Sequence, residues 1–107
     1  MLGIIGGSGF YSVAKPIEER NVLTPYGISN VIKIGFPSRK TAWFIARHGK
    51  NHDLPPHRVN YKANIYALKK LGVDAIFTTY AVGIISKYKV RDLILLDDFL
   101  GLNIRET

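Results

Sequence analysis

Residues 41–79 read TAWFIARHGKNHDLPPHRVNYKANIYALKKLGVDAIFTT. Thr41 to Ala46 are β-branched, aromatic and aliphatic, the composition of a strand. A polar loop from Arg47 to Pro56 follows. Val59, Ala63, Ala67 and Leu71 then recur every four residues, with Ile65, Leu68 and Gly72 widening that face, so the spacing predicts an amphipathic helix. Pro56 suits the helix start, where its missing N–H would have had no partner. Lys69 and Lys70 fall in the last turn, where cations favour the helix dipole, and Gly72 fits the position just past the end. Val73 to Thr79 is a second apolar run of strand length. A helix between two strands is a crossover, so part of the sheet must be parallel.

Upstream, Leu2-Gly3-Ile4-Ile5 stops at Gly6-Gly7-Ser8-Gly9 and reads as a buried strand feeding a glycine-rich turn. Asn21 to Thr24 predicts a short strand, ended by a turn at Pro25-Tyr26-Gly27. Ile28 to Ile34 predicts the next, paired as a hairpin with Thr41 to Ala46. Downstream, Asp92 to Leu96 is a further strand candidate, with Asp97-Asp98 as its cap. The fold class expected is α/β, a mixed and partly parallel sheet with a flanking helix, in one domain over residues 1–107. One helix is little cover for a parallel sheet, which is normally buried on both faces.

With 15 Lys+Arg against 8 Asp+Glu in 107 residues, the net charge is +7. Basic residues are scattered, in runs no longer than two, and match no nucleic-acid-binding pattern. Such a surface points to solubility or to attraction of a small anion, with no nucleic-acid or membrane partner. No cysteine is present, which excludes disulfides, thiolate zinc sites and cysteine catalysis. No apolar stretch approaches the ~20 residues of a membrane span. The opening MLGIIGGSGF lacks the basic region and apolar length of a signal peptide, so a cytoplasmic protein is expected.

Two loops carry candidate chemistry. Gly6-Gly7-Ser8-Gly9 could converge backbone N–H groups and a hydroxyl on an anion, or could be a tight turn needing small residues. It is neither a Walker loop nor a dinucleotide fingerprint. Arg47-His48 pairs a guanidinium fork with an imidazole at the end of a strand, suited to phosphate, or is a surface arginine beside a loop histidine. His48, His52 and His57 lack the context of a metal site, so no metal is expected. Thr78 to Gly83 ends a strand in hydroxyls and small residues, which suits ligand contact or a strand edge. Tyr61 and Tyr66 are expected to pack on the helix.

Taken in order, GIIGGSGF (3–10), TPYG (24–27), ARHGKNH (46–52), PPHRVNYKANIYALKKLG (55–72) and AVG (81–83) resemble the 5′-methylthioadenosine phosphorylase family. That family belongs to the trimeric or hexameric purine nucleoside phosphorylases. The resemblance implies phosphorolysis of 5′-methylthioadenosine to adenine and 5-methylthioribose 1-phosphate, a pentosyl transfer in purine salvage. Phosphate is the co-substrate, no cofactor is needed, and a homo-oligomer is implied. On the matched positions, Gly7, Ser8, Arg47, His48 and Ala81 would bind phosphate, with no single catalytic residue, and Tyr80 would line the substrate. The chain departs from the family at Tyr80, where a threonine or serine is usual, and at Ile84, where serine is common. Arg91, Asp98 and Gly101 also differ from the residues usual there. The family's chains continue past the position of Thr107, and the ribose- and base-recognising segments lie in that part. The alternative is a catalytically incomplete remnant or fragment that keeps a phosphate half-site and self-associates.

Overall fold

The computed structural model describes residues 1–7, 14–49, 53–80, 82, 84–85, 87–98 and 100. Five strands form one sheet: β1 (Leu2–Gly6), β2 (Lys15–Thr24), β3 (Gly27–Gly35), β4 (Thr41–Ala46) and β5 (Ala75–Thr78). One helix, α1 (Tyr61–Lys70), lies between β4 and β5. The strand order is β2-β3-β4-β1-β5. β1 is parallel to both β4 and β5, whereas β3 runs antiparallel to β2 and β4. The sheet is therefore mixed, and the crossover from β4 through α1 to β5 steps over β1.

From Gly3 onward β1 is buried because the strand is interior, between β4 and β5. Its side chains alternate between two cores, as a period of two requires. Ile5 joins Val22, Val31, Trp43, Ile45, Ala67 and Leu68 on the helix side. Ile4 joins Ala14, Ile32, Ile34, Ala42 and Phe44 on the other. The register Ile4↔Phe44 and Ile5↔Ile45 keeps the two sets apart. On α1, Ala63, Ala67 and Leu68 are buried, while Ile65 faces outward.

Three sequence expectations change. The helix begins at Tyr61, not near Pro56, because Pro56–Arg58 forms a separate 3-10 turn and Val59 is extended. Asn60 is its cap: the side-chain oxygen accepts from Ala63 N at 3.1 Å. β2 is longer than Asn21–Thr24, since the backbone of 15–20 pairs with β3 at the sheet edge without any apolar alternation. Pro16 is tolerated there, beside a bulge, as edge strands allow. Asp92 to Leu96 is not a strand and Asp97-Asp98 caps none; the segment is irregular and exposed, because no neighbouring edge pairs with it.

The end of α1 is a Schellman motif. Gly72 N donates to Lys69 O and Val73 N to Leu68 O, with Gly72 at φ +79°. Val73 and Leu68 also pack together above Gly3, where a Cβ would come within 2.9 Å of Val73 Cγ1 and 3.1 Å of a Leu68 methyl. Gly3 thus lets the helix end sit close on β1. Just beyond, the Met1 amine meets Asp74 Oδ2 at 2.5 Å and holds that exposed carboxyl below its usual range, chiefly through the hydrogen bond and then through charge. Tyr61 and Tyr66 are half-exposed, and the Tyr66 ring meets Tyr26 edge-on at 6.1 Å.

Candidate functional site

β4, β1 and β5 are adjacent and parallel, so their carboxyl ends open side by side. Open α/β sheets bind ligands at such ends. Gly6-Gly7 leaves β1, Arg47-His48 leaves β4, and Thr79-Tyr80 leaves β5. The ladder runs one residue past the strands: Arg47 N donates to Gly6 O at 3.1 Å and Thr79 N to Ile5 O at 3.3 Å. Residues far apart in the chain are thereby brought to one rim.

Arg47 crosses that rim. Its Nη1 donates to the carbonyl of Thr79 at 2.6 Å, bridging the flanking strands across the end of β1. The Tyr80 ring covers the guanidinium, with Cζ 4.2 Å from the ring centroid. The side chain is largely buried, at 9% exposure, so its charge stands in a partly dehydrated setting that strengthens attraction for an anion.

His48 is held by the loop it opens. Its Nδ1 lies 2.9 Å from Leu54 O, and Leu54 N donates to His48 O at 2.8 Å. A carbonyl oxygen only accepts, so Nδ1 carries the proton. In the neutral ring Nε2 is then an acceptor; the imidazolium would donate there instead. Gly49 makes the turn, with N donating to Ala46 O and φ at +88°. A Cβ there would stand 2.5 Å from Asp53 Oδ1.

Gly7 is different. A Cβ built on it meets no described atom within 4 Å, and its φ is not left-handed, so the described chain does not itself demand glycine. Ser8 and Ala81 lie outside the described residues, as does His52. His57 sits in the 3-10 turn, on the chain between β4 and α1. Among the described residues, no group of three His, Cys, Asp or Glu comes together.

Sequence reasoning missed the part played by Thr79. The contribution is a backbone carbonyl, which leaves no mark in residue type.

A family model described as the phosphorylase superfamily matches residues 1–107. The chain belongs to the phosphorylase superfamily. Among curated relatives of this phosphorylase chain, S-methyl-5′-thioadenosine phosphorylase of Thermofilum pendens is 49% identical over 107 residues, covering 94% of the chain and 40% of the relative. A probable S-methyl-5′-thioinosine phosphorylase of Methanopyrus kandleri is 44% identical, covering 97% of the chain and 41% of the relative. A probable 6-oxopurine nucleoside phosphorylase of Dictyoglomus turgidum is 47% identical, covering 92% and 38%. A mutant form of the adenosine/methylthioadenosine phosphorylase of Schistosoma mansoni, in complex with adenine, superposes with a TM-score of 0.64 at 43% identity, over 75% of this chain and 28% of that one. The chain thus spans about two-fifths of the length of the curated relatives it matches. These relatives, named for different purine nucleosides, are about equally similar to the chain, at 44–49% identity.

Proposed function

We propose that this chain supplies the phosphate side of a purine nucleoside phosphorylase acting on 5′-methylthioadenosine. The observation that carries the reading is the largely buried Arg47, held at the carboxyl ends of three parallel strands beside Gly7 and His48. A phosphate oxygen attacks C1′ of the nucleoside. The bond from C1′ to the purine breaks, and its electron pair leaves with the base, which takes up a proton. The products are adenine and 5-methylthioribose 1-phosphate. The transition state resembles an oxocarbenium ion, so the protein's work is to position the anion and stabilise charge. Arg47 and the N–H groups around Gly7 and Ser8 bind phosphate, His48 holds one of its oxygens, and Ala81 borders it.

No metal or organic cofactor takes part in the reaction so written. The same reading carries a role in purine salvage, a cytoplasmic location and self-association. What supports the choice of methylthioadenosine is the name of the relative sharing 49% identity. The purified chain should release adenine from 5′-methylthioadenosine only when phosphate is present, followed by chromatography of the base. A folded chain that binds phosphate and never releases adenine would instead be a phosphate half-site without turnover.

A further inference from the structure

The Tyr80 ring lies over the guanidinium of Arg47, at a position where the family resemblance expects a short hydroxyl side chain. We propose that Tyr80 is a positioning residue that orients Arg47 for phosphate, so that the ring face, and not the tyrosine hydroxyl, sets how tightly this chain holds the anion. The inference rests on the phosphate reading given above and adds to it a residue that departs from the one usual in the family.

An arginine side chain loses much rotamer entropy when it is fixed on a ligand. Here two contacts from the end of β5, reached across β1, remove that freedom in advance. Thr79 O holds one Nη1 hydrogen at 2.6 Å, which fixes where the fork ends. The Tyr80 ring, its centroid 4.2 Å from Cζ, covers the guanidinium and limits how it can swing. A guanidinium stacks through its face and hydrogen-bonds through its edge, so stacking on Tyr80 and binding an oxyanion do not compete for the same atoms. Thr79 takes one of five N–H groups. Both restraints come from consecutive residues of one strand end, so a single backbone segment sets both together.

Tyr80 is 57% exposed, so its replacement removes little from the core. That exposure makes the test clean. Inorganic phosphate is titrated by calorimetry into the 107-residue chain and into Tyr80→Phe, Tyr80→Leu, Tyr80→Ala and Arg47→Ala, with the thermal midpoint of each recorded. Tyr80→Phe should bind phosphate as the parent does, because it keeps the ring face. Tyr80→Leu and Tyr80→Ala should stay folded and bind about 2- to 10-fold more weakly, the scale of ordering one rotamer-rich side chain on binding. Leucine keeps apolar bulk without the π face, so a merely space-filling Tyr80 would leave that variant unaffected and would overturn the proposal. Tighter binding by Tyr80→Ala would overturn it too, and would mean that the ring stands in the anion's place. Arg47→Ala separates the two levels. If it abolishes binding while the Tyr80 variants bind normally, only the role of Tyr80 fails. If Arg47→Ala binds as the parent does, or the parent does not bind, the phosphate reading itself fails.

Discussion

Arg47 and Gly49 stand close in the chain and depend on different physics. Arg47 needs partners from across the sheet, whereas Gly49 needs a backbone that side chains disfavour. At φ +88°, with Asp53 Oδ1 2.5 Å from where a Cβ would be, Gly49→Ala must strain the turn and displace Asp53. We expect it to cost about 1–3 kcal/mol of stability. The same turn carries His48, so phosphate binding should weaken in parallel. Thermal melting and phosphate calorimetry on the one variant check both, and an unchanged midpoint would contradict the strain argument. Arg47 and His48 were legible as candidates because a fork and an imidazole following a strand are distinctive residue types. The carbonyl of Thr79 was not, since every residue has one and only the sheet decides which carbonyl faces the guanidinium.

At the scale of elements, α1 was readable from its four-residue spacing and from Gly72, and its start was not. The Pro55-Pro56 pair suggested an entry that the chain delays, because Val59 is extended and Asn60 has the better cap geometry. Asn60 also donates from Nδ2 to Tyr26 O at 2.8 Å, so one side chain caps the helix and ties it to the β2–β3 turn. Ser29 Oγ adds a second tie, donating to Asn64 Oδ1 at 2.9 Å. Asn60→Ala should therefore lose the cap and the tether together, about 1–2 kcal/mol. For a domain of this size that lowers the thermal midpoint by roughly 4–8 °C per kcal/mol. Asn60→Asp keeps the cap acceptor and loses the donor, and should fall between. A midpoint for Asn60→Ala equal to the parent's would remove the role given to this residue.

The whole molecule exposes more surface than its mass requires. A closed domain of 12.0 kDa has about 6,000 Å² of accessible surface; this one has 8564 Å². Its radius of gyration, 14.7 Å, likewise exceeds the value of about 13 Å for a compact domain of this length. Among the described residues Val82, Ile85, Val90, Leu93, Leu95, Leu96 and Leu100 are exposed, and β5 is exposed along its length. Apolar surface on that scale favours association. In sedimentation at micromolar concentration the chain should run heavier than a monomer and bind a dye specific for exposed apolar surface. A monomer that leaves the dye unbound would contradict the expectation.

The sequence by itself determined most of the strands, the helix and the parallel component of the sheet, and it marked two loops as candidates for anion binding. Local periodicity and residue type are enough for these: alternation and fourfold spacing act over a few residues, and glycine or arginine announces its own chemistry. It misjudged β2 and residues 92–96, because pairing along a sheet edge is a matter of which backbone finds a neighbour and not of apolar content. Only the tertiary structure set β1 between β4 and β5, and with it the meeting of Gly7, Arg47 and Tyr80 at one rim. Strand order joins residues far apart in the chain, and the contacts that decide it are made between elements. For that reason the stack of Tyr80 on Arg47 could be found only once the sheet was assembled.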